Sequence, residues 1–170
     1  MKGRFFLTPI FVVVASCLAV SSASAASLFD ARSARTPDAE TQSILGPKSA
    51  GIRYDKRMIR AAQLAAARAH PHSTSRCWRF VKNALLAANV ISTRPTTAYA
   101  KQAANELQTK FGFTKLKIKN PFDAPIGSVL VYGGNGAGHV EIRTWRGFAS
   151  DFVSATPSRR PLIGVYVKRA

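Results

Sequence analysis

The sequence predicts an α+β domain over residues 52–170, in which N-terminal helices pack on an antiparallel sheet of about five strands. A change of pattern supports this class. Up to residue 112 the apolar residues recur every three or four positions, which is the helical period, whereas beyond it they alternate as in strands. Clusters of Gly, Pro, Asn and Asp separate the alternating segments. Helices first and antiparallel strands second is the order typical of α+β domains.

The helical half, residues 52–112, contains three segments of helical period. The first ends before Pro71, because the residue before a proline avoids the α-helical region. In the second, small or apolar residues follow Cys77 at three, four, seven, eight and eleven positions, which places Cys77 at the N-terminal end of the buried face. Ser75 or Ser73 is the predicted N-cap of this helix. We predict helices at Tyr54–Ala69, at Ser75–Asn89, and from Thr96 or Thr97 to Phe111, with Gly112 ending the third.

The strand half, residues 113–170, alternates between apolar and polar residues in five short segments. We predict strands at Leu116–Lys119, Ser128–Tyr132, His139–Thr144, Phe148–Val153 and Leu162–Lys168. The glycine-rich loop Gly133–Gly138 connects two of these strands. Because a phosphate-binding loop leads from a strand into a helix, this loop is predicted to be a hairpin connection instead.

Residues 1–25 have the features of a secretory signal peptide, and residues 26–51 are predicted to be a linker. A basic start and an apolar run precede Ala23-Ser24-Ala25, which supplies small residues for cleavage. An alternative is Val14-Ala15-Ser16-Cys17, which is similar to a bacterial lipobox and would anchor the chain through a lipid on Cys17. Either route predicts export to the periplasm, the cell envelope or the extracellular space.

The predicted export makes the number of cysteines informative. The chain has two cysteines, and Cys17 is either removed or acylated, so Cys77 remains as a single thiol without an internal disulfide partner. Exported proteins usually oxidise their cysteines or lack them. At the start of a helix, beside Arg76 and Arg79, the thiolate is favoured by the helix dipole and by both guanidinium groups. Cys77 is therefore the candidate nucleophile, and a small residue that merely fills the core is the alternative.

The chain is strongly basic, with 25 Lys and Arg against 8 Asp and Glu and a formal net charge of +17. Residues 52–170 hold 20 of the bases and 5 of the acids, which leaves +15 on the predicted domain. Such a field favours anionic partners. In a bacterial envelope these are the carboxylates of peptidoglycan and polyanions such as teichoic acid or lipopolysaccharide. No specific nucleic-acid signature accompanies the charge, and a membrane partner is predicted only if Cys17 is lipidated.

A histidine and two carboxylates complete the candidate site. His139 opens a strand directly after the glycine-rich loop and is the candidate general base. If the chain turns after that strand, the next one brings Asp151 back towards His139, where it would orient the ring. Because side chains alternate along a strand, Glu141 shares the face of His139 and is the alternative orienting or substrate-binding group. The pair His70 and His72 lacks further ligands nearby, so no metal site is predicted.

In order and spacing these residues resemble the NlpC/P60 and CHAP cysteine peptidases of bacterial cell walls, which have a papain-like fold. The resemblance covers residues 73–168. It is carried by Cys77 at a helix start, by Gly138-His139-Val140 at a strand start, by the polar residue twelve positions past the histidine, and by the segment Ala124–Tyr132. The chain departs from both families beside the cysteine, at Arg76 and Trp78. Oxyanion stabilisation would therefore depend on backbone N–H groups at the helix start, with Arg76.

The resemblance implies an exported hydrolase of the peptidoglycan stem peptide, either an endopeptidase or an amidase, that works without a cofactor. In the implied mechanism Cys77 attacks an amide carbonyl, His139 transfers the proton and Asp151 orients the imidazole, through a thioester intermediate. The alternative is a catalytically silent basic protein that binds the cell wall on the same fold. Which bond is cut, and whether the role is housekeeping or toxic, stays open at this point.

Overall fold

The computed structural model describes residues 52–170, and the predicted signal peptide, Cys17 and the linker lie outside the described residues. In this part of the chain three α-helices come first: α1 at Arg57–Ala67, α2 at Cys77–Ala87 and α3 at Ala103–Phe111. A 3-10 turn at Ala100–Gln102 leads into α3, and Gly112 ends that helix in the left-handed region at φ +67°. The predicted order of helices before strands is confirmed.

The strands of residues 113–170 form one antiparallel sheet of six strands. They are β1 at Phe113–Leu116, β2 at Val129–Tyr132, β3 at His139–Thr144, β4 at Gly147–Ala149, β5 at Val153–Ser154 and β6 at Leu162–Lys168. Their order across the sheet is β1-β6-β2-β3-β4-β5, so the last strand of the chain lies between β1 and β2. The bounds of β3 and β6 agree with the prediction.

Two strands differ most from the prediction, and the division of one of them accounts for the sixth strand. The predicted strand 148–153 is broken into β4 and β5, because the chain reverses where the Ser150 N–H donates to the Phe152 carbonyl at 2.8 Å. The first strand lies three residues earlier than predicted, since Phe113–Leu116 pairs with the C-terminal half of β6. Alternation along one segment did not reveal either feature, because both are decided by hydrogen bonds to another part of the chain.

The helices cover one face of the sheet. Val81 and Leu85 of α2 are fully buried in the same core as Val140 and Ile142 of β3. Burying an aliphatic side chain of this size contributes about 1.5–3 kcal/mol relative to leaving it exposed. This packing fixes α2 against β3 and holds the start of the helix beside the start of the strand. Alternation along β2 directs Tyr132 to the opposite face, where a smaller cluster of buried residues forms.

Candidate active site

Cys77 is the first residue of α2, and its thiol is free and partly buried. The N-cap residue is Arg76, whose side chain makes no capping hydrogen bond. The predicted N-caps Ser75 and Ser73 lie outside the helix, and Ser75 has a left-handed backbone at φ +58°. The first N–H groups of a helix have no partner within the helix, so those beside Cys77 are left uncapped by Arg76 and adjoin the thiol.

His139 is the first residue of β3 and lies opposite Tyr132 of β2. Gly138 permits this placement, because its φ is +76° and a Cβ there would lie 2.5 Å from the Tyr132 carbonyl oxygen. The Lys101 N–H donates to the Ala137 carbonyl at 3.0 Å and ties the glycine-rich loop to the 3-10 turn. The loop is a hairpin connection, as predicted, and it sets the imidazole at the strand start.

The structure brings His139 and Cys77 together where α2 meets β3. Burial of the ring disfavours its charged form, but hydrogen bonding to Cys77 and Glu141, together with their charges, outweighs burial and raises the pKa of His139 to about 9. The imidazole therefore keeps its proton at neutral pH. A protonated imidazole beside a thiol stabilises the thiolate, which is the nucleophilic form of cysteine.

Glu141 is the carboxylate that contacts the histidine. Its Oε2 lies 3.3 Å from His139 Nε2, and its Oε1 accepts hydrogen bonds from the Tyr132 hydroxyl at 2.6 Å and the Ser158 N–H at 3.3 Å. The Glu141 side chain is buried. Burial and the neighbouring Glu141 charge raise the pKa of Tyr132 well above its usual value, so the phenol stays a donor. Glu141 therefore lies on the same side of β3 as His139, and its role as an orienting or substrate-binding group stays a prediction.

Asp151 is placed differently from the prediction. Its Oδ2 accepts hydrogen bonds from the Thr74 N–H at 2.5 Å, the Thr74 hydroxyl at 3.0 Å and the Arg76 N–H at 3.2 Å. Desolvation opposes the charged form, yet these backbone and hydroxyl donors hold the pKa of Asp151 below its usual value. The carboxylate therefore faces the segment before α2 instead of the His139 ring. The physical reason is the chain reversal after β4, which ends the strand before Asp151 can pair beside β3.

The remaining predicted groups contribute less to this geometry. Arg76 is exposed, and its backbone makes two hydrogen bonds: its N–H donates to Asp151, and its carbonyl accepts from the Phe80 N–H. The ring of His70 packs edge-on against Phe80 at 5.0 Å between centroids. Within residues 52–170 no group of three or more His, Cys, Asp or Glu side chains is arranged to hold a metal ion.

Two shallow depressions flank the Cys–His pair. One, of about 240 Å³, is lined by Cys77 and by residues from three segments of the chain: Ser75, Arg76, Trp78, Arg79, Ala98, Ala100 and Ala137. The other, of about 300 Å³, is lined by His139 and Glu141 together with Ser73, Phe152, Ser154, Thr156, Pro157, Ser158 and Arg160. An extended substrate laid across the pair would enter both. Larger depressions lie along Lys115–Lys119 at the β1 edge, and neither the thiol nor the imidazole lines them.

Comparison with solved structures agrees with this architecture. A chain in the crystal structure of the native type VI effector–immunity complex Tae3–Tai3 from Ralstonia pickettii superposes with a TM-score of 0.54 and 26% identity, covering 66% of this chain and 98% of that chain. A chain in the selenomethionine form of the complex gives a TM-score of 0.47 and 30% identity, covering 55% of this chain and 80% of that chain. No protein-family model and no curated protein sequence matches the chain.

The fold and the site together define an α+β protein, with three helices on a six-stranded antiparallel sheet and a cysteine–histidine pair where α2 meets β3. Its architecture is similar to that of the effector Tae3. The finer resemblance to NlpC/P60 and CHAP peptidases stays a prediction. None of the helices in residues 52–170 has the length and hydrophobicity needed to span a bilayer.

Two residues that support the site were not identified from the sequence. Tyr132 could have been found, because a hairpin closed by Gly133–Gly138 places Tyr132 directly opposite His139. Ser158 could not, since it lies in the irregular connection between β5 and β6, where no periodicity indicates direction.

Proposed function

We propose that this protein is a peptidoglycan hydrolase that cleaves an amide bond of the stem peptide through a thioester on Cys77. One observation carries the proposal: the imidazole of His139 contacts both the Cys77 thiol at the start of α2 and the buried carboxylate of Glu141. Thiol, imidazole and orienting carboxylate are the groups that acyl transfer through cysteine requires. The Tae3-like fold supports a cell-wall substrate, and the net charge of +17 supports an anionic one.

The chemistry begins with the Cys77 thiolate and the His139 imidazolium. The sulfur attacks the amide carbon, a C–S bond forms, and the carbonyl electron pair moves to oxygen. As that pair returns, the C–N bond breaks and His139 gives its proton to the leaving amine. Neutral His139 then takes a proton from water, which attacks the thioester and releases the acid and the thiolate. Glu141 holds the ring orientation and stabilises its charged form in both steps.

The developing oxyanion is stabilised by backbone N–H groups at the start of α2. The side chain of Arg76 makes no capping hydrogen bond there, so these donors and the positive end of the helix dipole are available to the reacting carbonyl. The Arg76 guanidinium is exposed and assists only through its charge. This arrangement would allow the proposed activity without the polar neighbours that NlpC/P60 and CHAP peptidases place beside the cysteine.

The site of action is the bacterial envelope. The N-terminal signal peptide or the lipobox at Cys17 would deliver the enzyme there, in the periplasm or outside the cell. The solved relative is an effector held in a complex with an immunity protein. That likeness favours a toxic role against other cells over wall maintenance, and a cognate inhibitor that covers the cleft in the producing cell.

Purified sacculi provide the test. Wild-type protein is expected to expose new amine termini, and Cys77→Ala is expected to expose none. Thr109→Ala, an exposed substitution on α3, is the matched control and should act as wild type. The residue that bears the new amine separates the two activities: the first residue of the stem indicates an amidase, and a later one an endopeptidase.

A basic wall-binding protein with a silent site is the second candidate, favoured by the altered flanks of the cysteine, Arg76 and Trp78. This candidate would be supported if wild-type protein pellets with purified sacculi but exposes no new amine termini. Release of amines by Cys77→Ala at the wild-type rate would exclude the thiol mechanism.

A further inference from the structure

A buried carboxylate close to the site has no part in the chemistry described above. Asp151 is fully buried, and its Oδ2 accepts four hydrogen bonds, all from the segment that leads into α2. The donors are the Thr74 N–H, the Thr74 hydroxyl, the Arg76 N–H and the Ser73 hydroxyl. The other oxygen, Oδ1, accepts from the Ser150 hydroxyl at 3.1 Å.

The backbone of the same residue holds the other end of that segment. The His70 N–H donates to the Asp151 carbonyl at 2.8 Å, and His70 forms a bridge with Phe152. The first and last of residues 70–76 are therefore both hydrogen-bonded to Asp151, where the chain reverses between β4 and β5. We call these seven residues the entry segment, because they lead directly to the nucleophile.

The entry segment requires such an anchor. Ser75 has a positive φ of 58°, which a non-glycine residue keeps only when its surroundings hold it. The N–H groups of Thr74 and Arg76 would lose their acceptor if the carboxylate were removed, and hydrogen bonds to a charged group contribute more to stability than those between neutral groups. The segment would then shift to regain hydrogen bonds, and α2 would lose the fixed position of its first turn.

We propose that Asp151 is a positioning residue for the nucleophile: it holds the entry segment so that the Cys77 sulfur and the first-turn N–H groups of α2 converge on the same carbonyl. This role rests on the proposed function and replaces the predicted role of Asp151 in orienting His139. Because the carboxylate takes the N–H groups of Thr74 and Arg76, upstream of the helix, it leaves those of the first turn for the oxyanion.

Amide substitutions can distinguish the role of Asp151 from that of Glu141. In Asp151→Asn one oxygen still accepts from the entry segment, and the new NH₂ group can donate to Ser150. We expect kcat within about tenfold of wild type for this variant, whereas Asp151→Ala should lose about 100-fold, the cost of a small misplacement of reacting groups. Glu141→Gln should lose about 10³–10⁴-fold, as when the orienting acid of a catalytic triad becomes an amide.

Alkylation of Cys77 by iodoacetamide supplies a readout that does not need a substrate. Its rate changes where His139 loses its proton, near pH 9 in wild type. We expect that inflection to stay in place in Asp151→Asn and Asp151→Ala, since neither touches the ring, and to move to lower pH in Glu141→Gln. Circular dichroism confirms that each variant is folded before it is compared.

Three outcomes overturn the proposal: an inflection that moves in Asp151→Asn, a loss of kcat in Asp151→Asn as large as in Glu141→Gln, or full activity in folded Asp151→Ala. If wild-type protein hydrolyses no wall amide, the proposed function fails separately. The alkylation profiles still report whether Asp151 acts on the histidine, and a slower plateau in Asp151→Ala alone still supports the positioning role.

Discussion

The hydroxyl of Tyr132 donates a 2.6 Å hydrogen bond to Oε1 of Glu141, whose other oxygen contacts His139. The three side chains form a connected chain at the end of the sheet where the glycine-rich loop joins β2 to β3. Tyr132 is fully buried, so its hydroxyl has been withdrawn from water to make this bond. A donor of this kind fixes the carboxylate rotamer and thereby the ring that the carboxylate orients.

Tyr132→Phe tests this relationship. The ring and its packing remain, but Glu141 loses its shortest hydrogen bond in a buried site, which should cost about 1–3 kcal/mol of unfolding free energy. The variant should have a lower kcat and an unchanged KM, because the substrate does not touch Tyr132. Urea unfolding and steady-state kinetics measure the two effects. Unchanged values of both would show that Ser158 and His139 hold the carboxylate without the Tyr132 hydroxyl.

The pKa of His139 predicts the pH dependence of both activity and stability. Activity should decline as pH rises through about 9, where the imidazolium that protonates the leaving amine is lost. Because the folded-state pKa lies above the unfolded value of 6.5, the stabilisation from the charged ring is complete below pH 6.5 and is lost as pH rises through about 9.

Urea unfolding of wild type and His139→Gln at several pH values checks the stability part. The free-energy difference between the two proteins should shrink between pH 6.5 and pH 9. A difference that stays constant across this range would contradict the assignment of the raised pKa to this residue.

Gly138→Ala should inactivate the enzyme. A Cβ at this position would lie 2.5 Å from the Tyr132 carbonyl oxygen and 2.8 Å from Lys101 Cβ, so the start of β3 would have to move and carry His139 with it. Gly136→Ala is the matched control, because Gly136 has a similar φ of +75° and open space around it. It should cost about 1 kcal/mol in stability, from the left-handed backbone alone, and leave kcat unchanged. Equal activity of the two variants would contradict this account.

Glu106 is predicted to stabilise, above acidic pH, the segment that leads to Ala98, which lines the depression beside Cys77. Its buried carboxylate accepts from the backbone and hydroxyl of Thr96 and of Thr97, just before Ala98. Desolvation opposes its charge, but these donors lower the pKa of Glu106 to about 2. The stabilisation is therefore present above its ordinary pKa of 4.5 and is lost as pH falls through about 2.

Glu106→Gln should destabilise the protein at pH 7 by about 2 kcal/mol, the usual value of hydrogen bonds to a charged group. The difference in unfolding free energy between variant and wild type should be smaller at pH 3 than at pH 7, as measured by urea unfolding. A gap that widens at low pH would contradict the direction of the shift.

The local patterns of the chain were sufficient for the starts of α2 and β3 and for part of the site. A helical stripe beginning at Cys77 and an alternating segment beginning at His139 are properties of consecutive residues, and both elements start where the pattern starts. Alternation also put Glu141 on the face of His139. These inferences succeeded because the side-chain period of a helix or strand is set by its own backbone.

The choice between the two acids could not be made in this way. Sequence alone determined that this chain has a helix-start thiol, a strand-start imidazole and two carboxylates within reach of a hairpin. Only the tertiary structure decided that Glu141 meets the ring while Asp151 fastens the entry segment. The physical reason is the reversal after β4: a single N–H···O bond between Ser150 and Phe152 ends the strand and turns Asp151 towards the donors of a loop some 75 residues earlier in the chain.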